Sequence, residues 1–200
     1  MDGGGGTDTA DYSDTSYSVA GATPTSPMVT GVYTGGITVD FSKGASPYAG
    51  VFAATVAAND TAVGNIGKDV LINIERVMGT VGNDRFVLTD AGQSVWGGEG
   101  TDTVVSTIQS YSLRTQSGTG IENFETTFAT GAYLGGNELN NVIKGAGGAD
   151  TLSGFGGNDT MDGGAGLDTV SYEYATQGVS VDLKVGMASG EGSDTLIGIE

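Results

Sequence analysis

The chain has 200 residues and a formal net charge of −17, because 24 acidic side chains stand against only 7 basic ones. This charge excludes the basic face that nucleic acids require and disfavours anionic membrane surfaces, whereas it attracts cations. Glycine is abundant, at 37 residues, and cysteine and histidine are absent. Their absence excludes disulfides, the common zinc sites and Ser-His-Asp catalysis, so a metal ion held by oxygen ligands is the expected staple.

The first part of the chain carries one short glycine-rich unit and two apolar runs. The unit, Gly-Gly-Gly-Gly-Thr-Asp-Thr-Ala-Asp, occupies residues 3–11. The runs Gly-Ile-Thr-Val-Asp-Phe and Gly-Lys-Asp-Val-Leu-Ile-Asn-Ile-Glu follow at residues 36–41 and 67–75. Residues 1–6 lack the apolar core of a signal peptide, and the longest nearly apolar stretch, 51–58, is much shorter than the roughly 20 residues of a membrane-spanning helix. We therefore expect no membrane insertion.

Further nine-residue units follow in two blocks. Residues 79–87 and 97–105 form the first block, and the nine residues between them keep an apolar Val95 at the eighth position. The two blocks are out of phase, because the spacing from Gly97 to Gly136 is not a multiple of nine. The second block consists of four units in unbroken phase: 136–144, 145–153, 154–162 and 163–171.

The longer apolar runs also recur. Residues 178–183 resemble 36–41, and residues 192–200 resemble 67–75. Tyr12 and Tyr172 directly follow repeat units, so we expect them to pack where a block of repeats ends. We expect the chain to be a fragment of a larger protein. Its predicted segments are a repeat-initiated β module (1–78), a short repeat block with a β spacer (79–135), a tandem roll (136–171) and the start of a further module (172–200).

Each unit combines glycines at positions one to four, a polar sixth position and an apolar eighth position. Glycine tolerates positive φ, so we interpret the unit as a six-residue turn followed by a three-residue strand. In such a strand the eighth side chain points inward and the seventh and ninth face water. One unit cannot bury its single apolar residue, so the units are expected to stack. The sixth position holds Asp8, Asp84, Asp102, Asn141, Asp150, Asp159 and Asp168.

Stacking brings the sixth positions of alternate units together. If two units make one coil, each sixth position lies next to another 18 residues away. Adjacent strands are about 4.8 Å apart, so paired carboxylates repel unless a cation lies between them. Calcium fits better than magnesium because it accepts about 6–8 oxygen ligands in loose geometry. We predict several calcium ions, with the Asp150–Asp168 pair stronger than the pair of Asp159 with the neutral Asn141. The third pair is Asp84 with Asp102.

These units resemble the RTX (hemolysin-type) calcium-binding repeats of secreted bacterial proteins, whose pattern is Gly-Gly-x-Gly-x-Asp-x-apolar-x. A looser similarity to the long modules of that family extends over most of the chain. The resemblance implies an all-β fold, a right-handed parallel β-roll or β-helix with calcium between successive turns. It also implies a type I secretion apparatus as partner, a secreted or cell-surface location, and folding only outside the low-calcium cytosol.

The predicted ligands combine the sixth-position side chains with backbone carbonyls of the turns. Thr80 and Ala146 replace the second glycine, which is tolerable if that position does not need positive φ. The unit at 3–11 lacks an acidic partner 18 residues on, so its site would need residues from upstream. Asp69 and Asp194 lie outside any tandem and are expected to be solvent-facing turn residues. The predicted carbonyl donors are Gly79, Gly82, Gly97, Gly100, Gly145, Gly147, Gly148, Gly154, Gly156, Gly157, Gly163, Gly164 and Gly166.

Other functions remain open at this point. An extracellular polysaccharide lyase or epimerase, or a glycan-binding module, could be carried on a similar coil, although we expect Trp96 to cover the roll rather than line a glycan face. The pairs Glu122/Glu125 and Asp60/Glu75 could serve sugar chemistry, but no pattern places them across a substrate. The threonine row at position seven reflects β-propensity. We predict no enzymatic activity in this chain; an extracellular glycan or surface is a further candidate partner, and a disordered acidic spacer is the remaining alternative.

Overall fold

The computed structural model describes residues 9–11, 37–40, 53–58, 68–72, 75–116 and 120–200. Short strands dominate, with one four-residue helix, α1, at Leu113–Gln116. No helix in these ranges is long and apolar enough to cross a membrane. The strands are β1 (Thr9–Asp11), β2 (Ile37–Asp40), β3 (Ala53–Ala58), β4 (Lys68–Ile72), β5 (Arg76–Met78), β6 (Arg85–Leu88), β7 (Ser94–Trp96), β8 (Thr103–Ser106), β9 (Ser110–Ser112), β10 (Asn123–Thr126), β11 (Tyr133–Gly135), β12 (Val142–Lys144), β13 (Thr151–Ser153), β14 (Thr160–Asp162), β15 (Thr169–Val170), β16 (Ser180–Asp182), β17 (Met187–Ser189) and β18 (Ser193–Ile197).

The strands stack into a parallel β-solenoid of about five turns. One long sheet contains β6, β8, β10, β12, β14 and β18 as successive parallel neighbours. Two shorter sheets, β1-β5-β7 and β9-β11-β13-β15, complete the coils, and from β5 to β15 the chain alternates between them and the long sheet. Because the chain alternates between the long sheet and a shorter one, two strands complete each coil. The predicted all-β parallel β-roll is therefore confirmed.

The strand registers reproduce the predicted period of 18 residues. Arg85 pairs with Thr103, and the strands of the second block pair in the same way. Strand β10 lies between β8 and β12, so the two repeat blocks share one sheet although their phases differ. The coil that contains β10 belongs to neither repeat block, and this additional coil accommodates the change of phase between them. The segment boundaries given above stay a prediction.

The eighth-position side chains fill the interior. Phe86, Val95, Val104, Ile143, Leu152 and Met161 are fully buried, and Val170 packs half-buried against them. In the additional coil, Phe124 meets Tyr111 edge-on at 6.0 Å, and the Tyr111 hydroxyl donates to the Gln93 carbonyl oxygen at 2.9 Å. The inward orientation of the eighth position is thus confirmed.

The prediction that the ninth position faces water is wrong for Val105 and Ser153, which are buried. Ser153 lies beside Gly135 in the sheet, and the Phe155 ring lies against Gly135 and shields that face. Val105 is flanked on neighbouring strands by Val87 and Glu125.

The recurring apolar runs form two similar modules of three antiparallel strands, β2-β3-β4 and β16-β17-β18. The first module joins the long sheet through β2, where Val39 pairs with Phe86 and is fully buried. The second joins it through β18, and the equivalent residue of β16, Val181, is 41% exposed. In addition, β1 pairs with β5, so residues 9–11 of the first unit stack on a strand of this chain. The expectation that the site of this unit needs residues from upstream stays a prediction.

Candidate functional site

The sixth-position residues lie in turns directly before the strands. Their side chains are buried, with exposed fractions of at most 2%. The set comprises Asp84, Asp102, Asn141, Asp150, Asp159 and Asp168; the seventh predicted residue, Asp8, lies outside the described residues. Burying an ionised carboxylate is costly unless it is paired or hydrogen-bonded. The partners of these side chains therefore decide what the turns can bind.

A ladder of hydrogen bonds joins the sixth positions of successive coils. In each predicted pair, the downstream side chain accepts a hydrogen bond from the upstream backbone N–H. The bonds run from Asp84 N to Asp102 Oδ1 (2.7 Å), from Asn141 N to Asp159 Oδ1 (2.8 Å) and from Asp150 N to Asp168 Oδ1 (2.8 Å). The structure therefore brings together the residues that the 18-residue spacing pairs.

Three of these turns are closed by their own backbone. In each, a side-chain oxygen at position six accepts the N–H of position two of the same turn. The bonds join Thr80 N to Asp84 Oδ2 (2.6 Å), Asn137 N to Asn141 Oδ1 (2.8 Å) and Ala146 N to Asp150 Oδ2 (3.1 Å). None of these position-two residues has positive φ. The tolerance of Thr80 and Ala146 at this position is explained, as the sequence suggested, by ordinary backbone geometry.

The other three turns are open. The Oδ2 atoms of Asp102, Asp159 and Asp168 are buried and have no hydrogen-bond partner among the described residues. Position two of these turns has positive φ, at 104° for Gly98, 66° for Phe155 and 90° for Gly164. The backbone conformation at position two thus separates the turns that satisfy their carboxylate from those that leave one oxygen without a donor.

Burial and neighbouring carboxylates act on the side chains of two open turns. Burial raises the pKa of Asp102 from 3.8 to about 7; the hydrogen bond from Asp84 N opposes this rise, and the Asp84 and Glu122 carboxylates add to it. Burial likewise raises the pKa of Asp159 to about 7, and the Asp194 and Glu138 carboxylates contribute. Burial and neighbouring negative charges make the ionised form of these carboxyl groups unfavourable. A hard cation that prefers oxygen ligands, such as calcium, would stabilise that form. In the described part of the chain, no group of three or more His, Cys, Asp or Glu side chains is arranged to hold a metal ion by itself, so carbonyl oxygens would supply further ligands.

Carbonyl oxygens of the next coil lie close to these side chains. A Cβ added to Gly79 would overlap both Asp84 Oδ2 and the Gly97 carbonyl oxygen, and one added to Gly145 would overlap Asp150 Oδ2 and the Gly163 carbonyl oxygen. The Gly154 carbonyl lies in the same way beside Asn141. The carbonyls of Gly82, Gly148 and Gly157 instead lie against fourth-position glycines or Gly192 of the next coil. All of the predicted carbonyl ligands stay a prediction, including the remaining ones from Gly79, Gly100, Gly145, Gly147, Gly156, Gly164 and Gly166.

The first-position glycines are required by sterics. A Cβ on Gly97 would overlap the Asp102 carboxylate and the Gly120 carbonyl oxygen, whereas one on Gly178 would meet no atom within 4 Å. We therefore expect Gly97→Ala to lower the free energy of unfolding in calcium by about 1–3 kcal/mol, the usual cost of overpacking. Gly178→Ala, the matched control, should change it by less than about 1 kcal/mol. Urea unfolding of both variants in calcium measures the difference, and equal effects would contradict this account of position one.

Neutral amide groups bridge the turns before β10 and β12, where the ladder of the described residues has no carboxylate bond. The side-chain amides of Asn137 and Asn141 donate to the Ile121 carbonyl oxygen at 2.9 and 3.0 Å. The space between the β10 and β12 turns therefore contains amide N–H donors to a carbonyl oxygen. The prediction that Asn141 weakens the site it shares with Asp159 remains to be tested.

Three acidic residues that the repeat phase did not single out extend the ladder. Asp102 N donates to Glu122 Oε2 at 2.8 Å, and Asp168 N donates to Glu200 Oε2 at 2.8 Å. Asp159 N donates to Asp194 Oδ1 at 3.1 Å. The sequence signal for Glu122 and Glu200 is the repeated tripeptide Gly-Ile-Glu at 120–122 and 198–200.

The prediction that Asp194 faces solvent is wrong. Asp194 is 2% exposed, because β18 occupies the place of the next coil beside β14 and its turn stacks on that of Asp159. Its Oδ2 accepts the Tyr172 hydroxyl at 2.7 Å, so Tyr172 packs at the end of the repeat block as expected. The residues Gly-Ser-Asp-Thr-Leu at 192–196 match positions four to eight of the unit and are the signal that could have found it. Asp69 lies in strand β4 and not in a turn.

The structure does not bring Glu122 and Glu125, one of the pairs considered for catalysis, together at one site. Glu122 belongs to the ladder, while Glu125 forms an exposed ion pair with Lys144 at 3.4 Å. Asp60 lies outside the described residues. Trp96 is half-buried in β7. A groove of about 350 Å³ beside β9, β11 and β13 is lined by Gln109, Ser110, Gly131, Ala132, Tyr133, Ala149 and Thr151. This lining offers no carboxylate or amine for polysaccharide chemistry.

No curated protein and no solved structure shows a significant match to the chain. The family model of the RTX calcium-binding nonapeptide repeat matches residues 135–170 with four copies. The match coincides with the tandem units whose strands are β12 to β15. Such repeats on a β-roll are a structural calcium-binding motif and not a catalytic one. Residues 135–170 are therefore RTX calcium-binding nonapeptide repeats, folded as a parallel β-roll.

Proposed function

We propose that the turns of this solenoid bind calcium between successive coils and that calcium drives the folding of this region in a larger secreted bacterial protein. The observation that carries the proposal is the set of three buried carboxylate oxygens, on Asp102, Asp159 and Asp168, that have no donor among the described residues. A carboxylate oxygen left without a donor in the interior costs several kcal/mol unless a cation or a proton joins it.

The ligands are the sixth-position side chains, in the pairs Asp84–Asp102, Asn141–Asp159 and Asp150–Asp168, together with nearby carbonyl oxygens of the turns. Asp8 would serve the same role in the unit at 3–11. Calcium accepts this mixture of carboxylates and carbonyls, whereas magnesium requires a compact octahedron and retains its waters. The RTX match at residues 135–170 supports calcium as the ion.

Binding free energy becomes folding free energy when a site does not exist in the unfolded chain. The net charge of −17 opposes compaction until cations neutralise it. A chain of this kind stays unfolded where calcium is scarce and folds where calcium is abundant, which suits export through a type I apparatus to the cell surface or the medium. The region itself is structural and not enzymatic, and an adhesive role toward a surface or glycan rests on the family resemblance alone.

Calorimetric titration of the chain with calcium tests the proposal. We expect saturable binding of several ions with dissociation constants of roughly 10⁻⁴ to 10⁻³ M, the range of extracellular calcium modules, and clearly weaker binding of magnesium. Heat signals no larger for calcium than for magnesium at equal ionic strength would overturn it.

A further inference from the structure

We propose that the two Gly-Ile-Glu segments, 120–122 and 198–200, complete two additional calcium sites, Asp102–Glu122 and Asp168–Glu200, outside the nonapeptide pairs. This inference rests on the proposed calcium-binding function and concerns gaps that the 18-residue spacing does not predict.

Glu122 occupies the sixth-position place of its coil. It directly precedes β10, and Asn123 pairs with Thr103 as the residues after paired sixth positions do elsewhere. Its Oε2 accepts the N–H of Asp102 at 2.8 Å, the same bond that Asp102 Oδ1 makes to Asp84 N one coil earlier. The glutamate therefore continues the carboxylate ladder although 20 residues separate it from Asp102.

The oxygen of Asp102 that lacks a donor faces this gap. A Cβ added to Gly97 would overlap both Asp102 Oδ2 and the carbonyl oxygen of Gly120, so these two oxygens crowd the same side of the Gly97 α-carbon. Asp102 is fully buried, and its Oδ2 has no hydrogen-bond partner in the part of the chain that the structure describes. Oxygens of two coils thus line this gap: Asp102 Oδ2, the Gly120 carbonyl oxygen and the Glu122 carboxylate that accepts the Asp102 N–H.

The same arrangement recurs at the other tripeptide. Glu200 Oε2 accepts the N–H of Asp168 at 2.8 Å, and Asp168 Oδ2 is buried without a partner in the described residues. Next to Gly163, an added Cβ would overlap Asp168 Oδ2 and the Gly198 carbonyl oxygen. The two Gly-Ile-Glu segments therefore build two sites with the same kinds of oxygen, and each segment stacks on an open turn.

The nonapeptide pairs differ in one respect. On the corresponding side of Asp84 and Asp150, the Oδ2 atom is already satisfied by the N–H of Thr80 or Ala146. In the two Gly-Ile-Glu gaps, Oδ2 of Asp102 and Oδ2 of Asp168 have no such donor among the described residues. A cation would therefore stabilise these carboxylates more than those of Asp84 and Asp150. Glu122 is only partly buried, which lets water complete the loose coordination shell that calcium accepts.

Glu122→Gln tests the inference, because glutamine keeps the length and the oxygen that accepts Asp102 N–H but removes the charge. We expect one calcium fewer by native mass spectrometry and a roughly tenfold higher calcium concentration at the folding midpoint, since ligand charge sets calcium affinity. Glu125→Gln, three residues further on in β10 and in an exposed ion pair with Lys144, is the matched control and should bind as the wild type does.

The outcomes separate the two proposals. If Glu122→Gln keeps the wild-type stoichiometry and midpoint while Asp159→Asn loses calcium, this inference is overturned and the proposed function stands. If the wild type itself binds no calcium, both are overturned. Should Glu122→Gln fail to fold at saturating calcium, Glu200→Gln in the last described coil is judged by the same two measurements.

Discussion

Removing calcium with a chelator is expected to convert the solenoid into a largely disordered coil. A repeat buries only one or two apolar side chains, so no coil is stable without its neighbours. The coils stack buried carboxylates on one another, and a chain with a net charge of −17 gains little from compaction while these charges are uncompensated. Far-UV circular dichroism should change from a coil spectrum to a β spectrum at roughly 10⁻⁴ to 10⁻³ M calcium.

Sodium chloride at matched ionic strength is the control for this experiment. Salt screens the net charge of the whole chain, but a monovalent ion does not bridge buried carboxylates. If salt alone restored the β spectrum, general charge repulsion and not ion binding in the turns would govern folding. A β spectrum that persists in excess chelator would show that packing alone holds the solenoid.

The repeat phase was enough to predict the coil and its register. A fixed interval of nine residues makes every second strand a neighbour, so the pairing of Val142 with Thr160 follows from counting. The alternation of side chains in a strand then places Ile143 and Met161 inside. These features depend on a constant spacing and on residue type, and both can be seen in the sequence.

The ladder beyond the tandem units could not be predicted in this way. Asp194 follows Asp159 in the ladder after 35 residues, because the antiparallel pair of β16 and β17 is inserted between the two coils. Glu122 follows Asp102 after 20 residues. An insertion of variable length removes the constant interval, and only the short motifs around these residues preserve the signal.

The difference between open and closed turns also depends on tertiary contacts. By residue type, Phe155 resembles Thr80 and Ala146 and should form a closed turn, yet its φ is 66°. A left-handed conformation costs a residue with a side chain about 1–2 kcal/mol. The Arg114 guanidinium lies 4.7 Å above the Phe155 ring, and the Tyr174 ring lies 5.8 Å away. These contacts come from residues outside the repeat and offset the strain, so the open turn at Asp159 could not be recognised from its own nine residues.

The Asp159→Asn substitution is expected to raise the calcium concentration at the folding midpoint roughly tenfold, which corresponds to about 1.4 kcal/mol. In the wild type, Asp159 Oδ1 accepts the Asn141 N–H at 2.8 Å. Asparagine retains an oxygen that can accept this N–H, so the hydrogen bond of the ladder survives. What is lost is the charge of a buried carboxylate whose Oδ2 has no hydrogen-bond partner among the described residues. A calorimetric or circular dichroism titration with calcium measures the shift.

Asp162→Asn is the matched control, because it removes the same charge from the same repeat. Asp162 stands at the ninth position, where its Oδ1 accepts the N–H of Gly164 in an exposed bond of 3.1 Å. Both variants change the net charge equally, so general electrostatics predicts equal midpoints for them. A shift confined to Asp159→Asn assigns the effect to the sixth position, whereas equal shifts would mean that calcium responds to the charge of the surface and that the turns are not its binding sites.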